Sequence, residues 1–246
     1  MDATDANARC IWINFSADGY RLSGRLHLPT AFRPPVVFGS HGLMSSSESA
    51  KQRELAMQCT AAGIGFFRFD HRGCGRSQGF FPEVTTLEGR VRDLIAAVNT
   101  IRSRTDTGRG FGLFGSSMGG AVCLAAARAI AADALVTVAA PIRSRSIRPL
   151  ESGAPNVHEG TGLRLHFDLS DTIAGLRHVL VCHGDADDVV PFAHALEIDG
   201  KVDNPKRLVR QANGDHLMSA DVHRQAFMRE AVEWFAARLR PGLSAS

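Results

Sequence analysis

Short apolar, β-rich runs alternate with helix-patterned segments along most of this chain, and that alternation restricts the fold more than any other feature of the sequence. Two strand-like runs come first, residues 10–15 and 20–28, joined by the hairpin-like turn Ser16-Ala17-Asp18-Gly19. Strands are then expected at 35–40, 64–70, 110–115, 134–140, 179–184 and 206–212, and helices near 48–62, 85–101, 118–131, 192–200 and 220–239. The helix near 85–101 has the clearest period. Leu87, Val91, Leu94, Val98 and Ile101 form its apolar stripe, and Thr85 with Glu88 suggests a capping box. On the helix near 48–62, Leu55, Cys59 and Ala62 share a face. Phe227, Ala231 and Trp234 give the last helix its inner face.

Strands that alternate with helices pair in parallel, with the crossover helices on both faces of the sheet. The expected fold is therefore α/β: a mostly parallel eight-stranded sheet in one domain over residues 1–246. Such sheets form their sites at the carboxyl ends of the strands. The loops after Ser40, Phe69, Phe114, Ala140, Cys182 and Ala212 should then converge.

The loop after Phe114 reads Gly115-Ser116-Ser117-Met118-Gly119, a G-x-S-x-G between an apolar strand and an alanine-rich helix. This pattern needs its nucleophile at the middle position, where the chain turns sharply and flanking glycines avoid Cβ clashes. Ser117 is therefore the candidate nucleophile, and Ser116 the small residue that a tight turn permits. The Met118 amide falls at a helix N-terminus, free to donate to an anion. Gly110, Gly112 and Gly115 also spell G-x-G-x-x-G, but they lie within the strand instead of after it, so a dinucleotide site is not expected.

A serine hydroxyl needs a base, and the base needs a carboxylate to orient it. Of ten histidines, His216 stands out because it follows the last strand in the turn Asn213-Gly214-Asp215-His216. His158, His194 and His223 are expected to face solvent. After Cys182 the chain carries Asp185, Asp187 and Asp188, three competitors for the orienting role. A calcium loop is not expected there, because Val189 stands where an oxygen ligand would be needed and the turn glycine is missing. The loop after Ser40 begins His41-Gly42-Leu43. The Leu43 amide could pair with that of Met118 as a two-donor oxyanion hole, with His41 bracing the loop.

In this order, His41-Gly42, Gly115-x-Ser117-x-Gly119, a late aspartate and then His216, the chain resembles the α/β-hydrolase superfamily. The stretch Phe69-Asp-His-Arg-Gly-Cys-Gly-Arg-Ser-Gln-Gly79 resembles its D-x-R-G-x-G-x-S segment. The stretch His183-Gly-Asp-Ala-Asp-Asp-Val-Val-Pro191 resembles its H-G-x-x-D-x-x-V-P segment, and that resemblance assigns the triad acid to Asp187. Within the superfamily the chain is similar to compact bacterial esterases of the serine-aminopeptidase and feruloyl-esterase type. It also resembles hydrolase domains fused to a partner like osmotically inducible protein C. The resemblance implies a Ser117–His216–Asp187 triad and a small-molecule ester substrate, with no metal or organic cofactor. Larger relatives carry a helical cap after the sixth strand. Here residues 142–176 leave room for a small lid, which implies short acyl chains. His41, Phe80 and Phe81 are candidate pocket walls.

The remaining features set the setting. A net charge of +3 with mixed signs does not imply nucleic acid. Arg143, Arg145 and Arg148 form a short basic run, read as a solvated loop or, for a thioesterase, as a lure for an acidic leaving group. Five scattered cysteines without a C-x-x-C pair suit a reducing compartment, and the acidic start lacks a signal-peptide pattern, so a cytoplasmic location away from membranes is expected.

Overall fold

In the computed structural model, residues 9–144 and 165–239 are described. Eight strands form one sheet in the order β1-β2-β4-β3-β5-β6-β7-β8. They are β1 (Arg9–Ala17), β2 (Tyr20–Leu28), β3 (Val36–Ser40), β4 (Gly65–Asp70), β5 (Phe111–Ser116), β6 (Ala134–Val138), β7 (Val179–Gly184) and β8 (Lys206–Gln211). β2 is antiparallel to both β1 and β4, and every later pairing is parallel. The strands β3 to β7 are buried along nearly their whole length, as helices on both faces require.

The helices are α1 (Ala50–Ala61), α2 (Phe81–Val84), α3 (Leu87–Arg102), α4 (Met118–Ile130), α5 (Ala193–Lys201) and α6 (Asp221–Arg238). One apolar cluster joins α3, α4 and α5 to the sheet, including Leu94, Val98, Leu124 and Ile198. The other lies under α1 and α6 and includes Leu55, Cys59, Phe227 and Phe235. Close approach explains two strand glycines. A Cβ on Gly24 would come within 2.6 Å of the Phe67 ring, and one on Gly112 within 2.8 Å of Phe235.

Four expectations need correction. The α3 cap is Thr86, whose hydroxyl accepts from the Gly89 amide at 2.9 Å, while Thr85 closes the short α2 before it. Ala62 is the exposed C-cap of α1 instead of part of its inner face. His194 is buried on α5, and its Nδ1 accepts from the Ile142 amide at 3.1 Å. The fourth concerns Phe80 and Phe81 and is taken up with the site. Of residues 142–176, those numbered 145–164, including His158, Arg145 and Arg148, lie outside the described residues.

Candidate active site

At Ser117 the backbone takes φ 53°, ψ −125°, between the end of β5 and the start of α4. Few side chains accept such a conformation, and the surroundings hold it in place. The Ser117 amide donates to Val138 O on β6 at 2.8 Å. A Cβ on Gly115 would sit 2.3 Å from Gly119 O, and one on Gly119 would sit 2.1 Å from Ser40 O. Both glycines of G-x-S-x-G are thus required by backbone contact, and the serine between them is turned out of the sheet.

His216 and Asp187 arrive on the loops after β8 and β7. These loops are locked together: a Cβ on Gly184 would lie 2.0 Å from Gly214 O, and the Ala186 amide donates to Gly214 O at 3.1 Å. His216 Nε2 lies 3.1 Å from Ser117 Oγ, and Nδ1 lies 2.8 Å from Asp187 Oδ2. Nδ1 donates to the carboxylate, which leaves Nε2 to accept from the serine. Asp187 Oδ1 accepts from the Val189 and Val190 amides at 2.9 and 2.7 Å. Burial alone would raise this carboxyl, but hydrogen bonds from His183 and His216, the His216 charge and the Val190 amide hold it well below the usual carboxylate range.

The rival aspartates have other positions. Asp185 accepts from Arg210 Nε at 2.7 Å and from the Asn213 amide at 2.6 Å, tying the β7 and β8 loops together. Asp188 is exposed.

The His41-Gly42-Leu43 loop runs against the elbow; a Cβ on Gly42 would lie 3.7 Å from Ser117 Cβ. The Leu43 and Met118 amides donate to no other described backbone group. His41 is buried, donates Nδ1 to Gly42 O at 2.8 Å and accepts at Nε2 from the His71 amide at 3.2 Å. Burial, with the Arg90 charge and the His71 ring nearby, holds His41 well below the ordinary histidine range, so it braces the loop as a neutral ring.

The structure brings together Ser117, Met118, His216, Asp187, Leu43 and His41. All but Asp187 line a cavity of about 490 Å³, walled also by Met44, Pro141, Leu165, Val189, Leu217 and Met218. Phe80 and Phe81 do not reach it. Phe80 is 64% exposed, and Phe81 starts α2 and packs partly against the α3–α4 cluster. The reason is the loop after β4. Instead of opening onto the cavity, it folds beneath the His41 loop, with Asp70 Oδ1 accepting from the Ser47 amide at 2.8 Å and Oδ2 from the Arg76 amide at 2.9 Å.

Two further residues support the site: Arg90, passed over in the sequence, and His183, which appears in a family segment with no role assigned to it. Arg90 on α3 is fully buried and donates to three successive carbonyls of the Leu43 loop: His41 O at 3.4 Å, Gly42 O at 3.2 Å and Leu43 O at 3.0 Å. Its signal was available, since it lies three residues after Leu87 and four before Leu94 and so interrupts the apolar stripe. His183 is also buried. Its Nε2 donates to Val190 O at 2.9 Å and sits 3.1 Å from Asp187 Oδ2.

The sheet order, the strand–turn–helix elbow and the cavity at the carboxyl edge define an α/β hydrolase. A family model described as "Serine aminopeptidase, S33" matches residues 34–161, and the chain belongs to that family. An uncharacterized Escherichia coli K12 protein, YfhR, is 27% identical over 241 residues, covering 93% of this chain and 81% of its own. The mitochondrial palmitoyl-protein thioesterase ABHD10 of Mus musculus is 27% identical over 220 residues, covering 77% of this chain and 72% of its own. Among solved structures, Est1E from Butyrivibrio proteoclasticus with bound ferulic acid superposes with a TM-score of 0.77 at 21% identity, covering 91% of this chain and 99% of its own. The chain is thus a hydrolase of the α/β fold.

Proposed function

We propose that this protein is a serine esterase that cleaves small carboxylic esters through an acyl-enzyme. The observation that carries the proposal is the His216 imidazole, 3.1 Å from Ser117 Oγ on one side and 2.8 Å from Asp187 on the other, at the wall of the cavity. His216 takes the serine proton as Oγ attacks the ester carbonyl. The Leu43 and Met118 amides receive the oxyanion. The imidazolium, steadied by the ionised Asp187, protonates the leaving alcohol, and water repeats the sequence on the acyl-enzyme. A largely apolar cavity of about 490 Å³ suits short acyl groups and a small alcohol.

A thioester reading draws on the relative named as a thioesterase. Its proposed basic lure is weakened, because Arg143 is already held by Glu197 at 2.7 Å and Asp168 at 3.1 Å. The test is fluorophosphonate labelling, followed by hydrolysis of 4-nitrophenyl esters from acetyl to dodecanoyl and of matching thioesters. Labelling at Ser117 with a kcat/KM peak between acetyl and butyryl is the expected result. Folded protein that does not label overturns the reading, and a rate still rising at dodecanoyl replaces it with a lipase.

A further inference from the structure

Most of the cavity wall is apolar. The first turn of α1 adds Ala50, Lys51 and Gln52 to it, together with Ser45 and Ser49. Several observations there point to one ligand chemistry.

Lys51 has no carboxylate or other hydrogen-bond partner among the described residues, although Arg224 nearby is paired with Glu54 at 3.2 Å and Asp221 at 2.7 Å. Lys51 also occupies the first turn of a helix with no acidic residue in that turn. The helix dipole disfavours a cation at this end and favours an anion. Ser49 Oγ takes only the Gln52 amide, at 3.4 Å, and Ser49 O takes the Arg53 amide at 3.1 Å, so the Ala50 and Lys51 amides stay open. The Gln52 side chain is buried, and neither its nitrogen nor its oxygen has a partner among the described residues. A buried unpaired amide is costly, and this one packs over Gly39 of β3 at the cavity wall. Burial also pulls the Lys51 ammonium down to about 8, against the pull of Asp215 and Asp187.

We infer that the α1 wall of the cavity is an anion subsite, in which Lys51, Gln52 and the open amides of α1 receive a carboxylate carried by the ester substrate. The inference rests on the esterase reading for its substrate, while its ligand-binding half stands apart from turnover. The preferred substrates are then half-esters or carboxylate-bearing esters instead of wholly neutral ones.

Two assays test this. The first compares 4-nitrophenyl monoesters of succinate, glutarate and adipate with neutral acyl esters of equal length, and acetyl esters of hydroxybenzoates with those of their methyl esters. One set places the carboxylate on the acyl side, the other on the alcohol side. In at least one set the wild type should favour the anionic ester by about tenfold or more in kcat/KM, the scale of one charge-assisted hydrogen bond. Lys51→Met should erase that ratio and Lys51→Arg should restore most of it. The second assay uses no chemistry: glutarate and benzoate should raise the Tm of Ser117→Ala, and this rise should vanish when Lys51→Met is added. Neutral esters turned over with no anionic preference in either set, and no carboxylate-dependent Tm shift, overturn the subsite and leave the esterase standing. A Tm shift without turnover of any ester overturns the esterase and keeps the subsite.

Discussion

Two hydrogen-bonded Ser–His–Asp sets lie among the described residues, and only one of them borders the cavity. In the first, Ser117, His216 and Asp187 are linked at 3.1 and 2.8 Å. In the second, Ser40 Oγ lies 2.9 Å from His71 Nε2, and His71 Nδ1 lies 3.4 Å from Asp93 Oδ2. The atoms are the same, but the surroundings differ in three ways. Ser40 is an ordinary residue of β3, fully buried and paired in register with Gly115, whereas Ser117 is turned out at positive φ beside a cavity. The Leu43 and Met118 amides, which donate to no described backbone group, belong to residues that line the same cavity as Ser117, whereas Ser40 is not among its lining residues. Finally, Asp93 is neutralised by Arg72, which donates to Oδ1 through Nε at 2.9 Å and a terminal nitrogen at 2.7 Å. Among the described residues, Asp187 makes its hydrogen bonds with imidazoles and amides alone. Its charge remains available to a developing imidazolium, while that of Asp93 is already answered. The two sets therefore differ in access, in open amides at the cavity and in the neutralisation of the acid, and not in the three side chains.

The largest effect that should separate the two sets is at the serines. Ser117→Ala should lower kcat by about a millionfold, the usual loss for a triad serine, and abolish fluorophosphonate labelling. Ser40→Ala should still label and turn over. It should cost about 1–3 kcal/mol of stability, because His71 Nε2 loses its partner in a buried site. Urea unfolding of both variants checks this, and a Ser40→Ala enzyme as dead as Ser117→Ala would erase the distinction.

Next come the carboxylates. Asp187→Asn should slow acylation by about ten-thousandfold while folding normally. Asp185→Asn and Asp188→Asn should stay far closer to wild type. Asp93→Asn should show the opposite signature, with stability falling by about 3–5 kcal/mol as Arg72 is left without its buried partner, and with residual activity tracking the folded fraction. Pre-steady-state bursts and denaturation curves read the two effects separately.

A smaller effect is expected from Arg90, which links the two regions by gripping the carbonyls of the Leu43 loop from behind. Arg90→Lys keeps the charge but cannot reach three carbonyls in a fork. It should lower kcat by up to about a hundredfold, short of deleting an oxyanion donor outright, with KM little changed. A loss seen mainly in KM would argue against this positioning role.

The smallest effect is one of pH. Burial lowers His71 to about 4, outweighing Asp93 and Asp70 and helped by Arg90, and it lowers His27 to about 4 as well. Both rings fold neutral and charge more readily once unfolded. Their contribution is therefore complete above the ordinary histidine value of about 6.5 and is lost as pH falls from there towards about 4. Thermal melts should show Tm falling through that window, and His71→Asn should flatten part of the fall. A Tm unchanged between neutral pH and the lower bound would contradict the buried neutral ring.

Much of this was legible in advance because it is local. The elbow could be placed because strand, glycines and helix are contiguous; Gly115 is required by contact with Gly119 four residues on, and only the Gly119 contact with Ser40 on β3 is distant in the chain. The α3 stripe was placed correctly, although its cap lies one residue later because the short α2 uses Thr85. Asp187 was not separable from its neighbours by residue type. It came from the family segment, and its hydrogen bonds to His216 and two amides give the physical reason. The pocket was misjudged, since Phe80 and Phe81 follow a loop whose destination depends on Asp70 bonding across to Ser47.

The sequence by itself determined the order of strands and helices, the parallel sheet and the site of its sharp turn, because hydrophobic period and glycine placement act over short stretches of chain. Only the tertiary structure decided which of two serine–histidine–aspartate sets faces a cavity, what neutralises each acid, that Arg90 holds the Leu43 loop and that Lys51, with no hydrogen-bond partner among the described residues, lines the cavity from the first turn of α1. Burial and charge compensation are set by residues distant in the chain, and no local pattern records them.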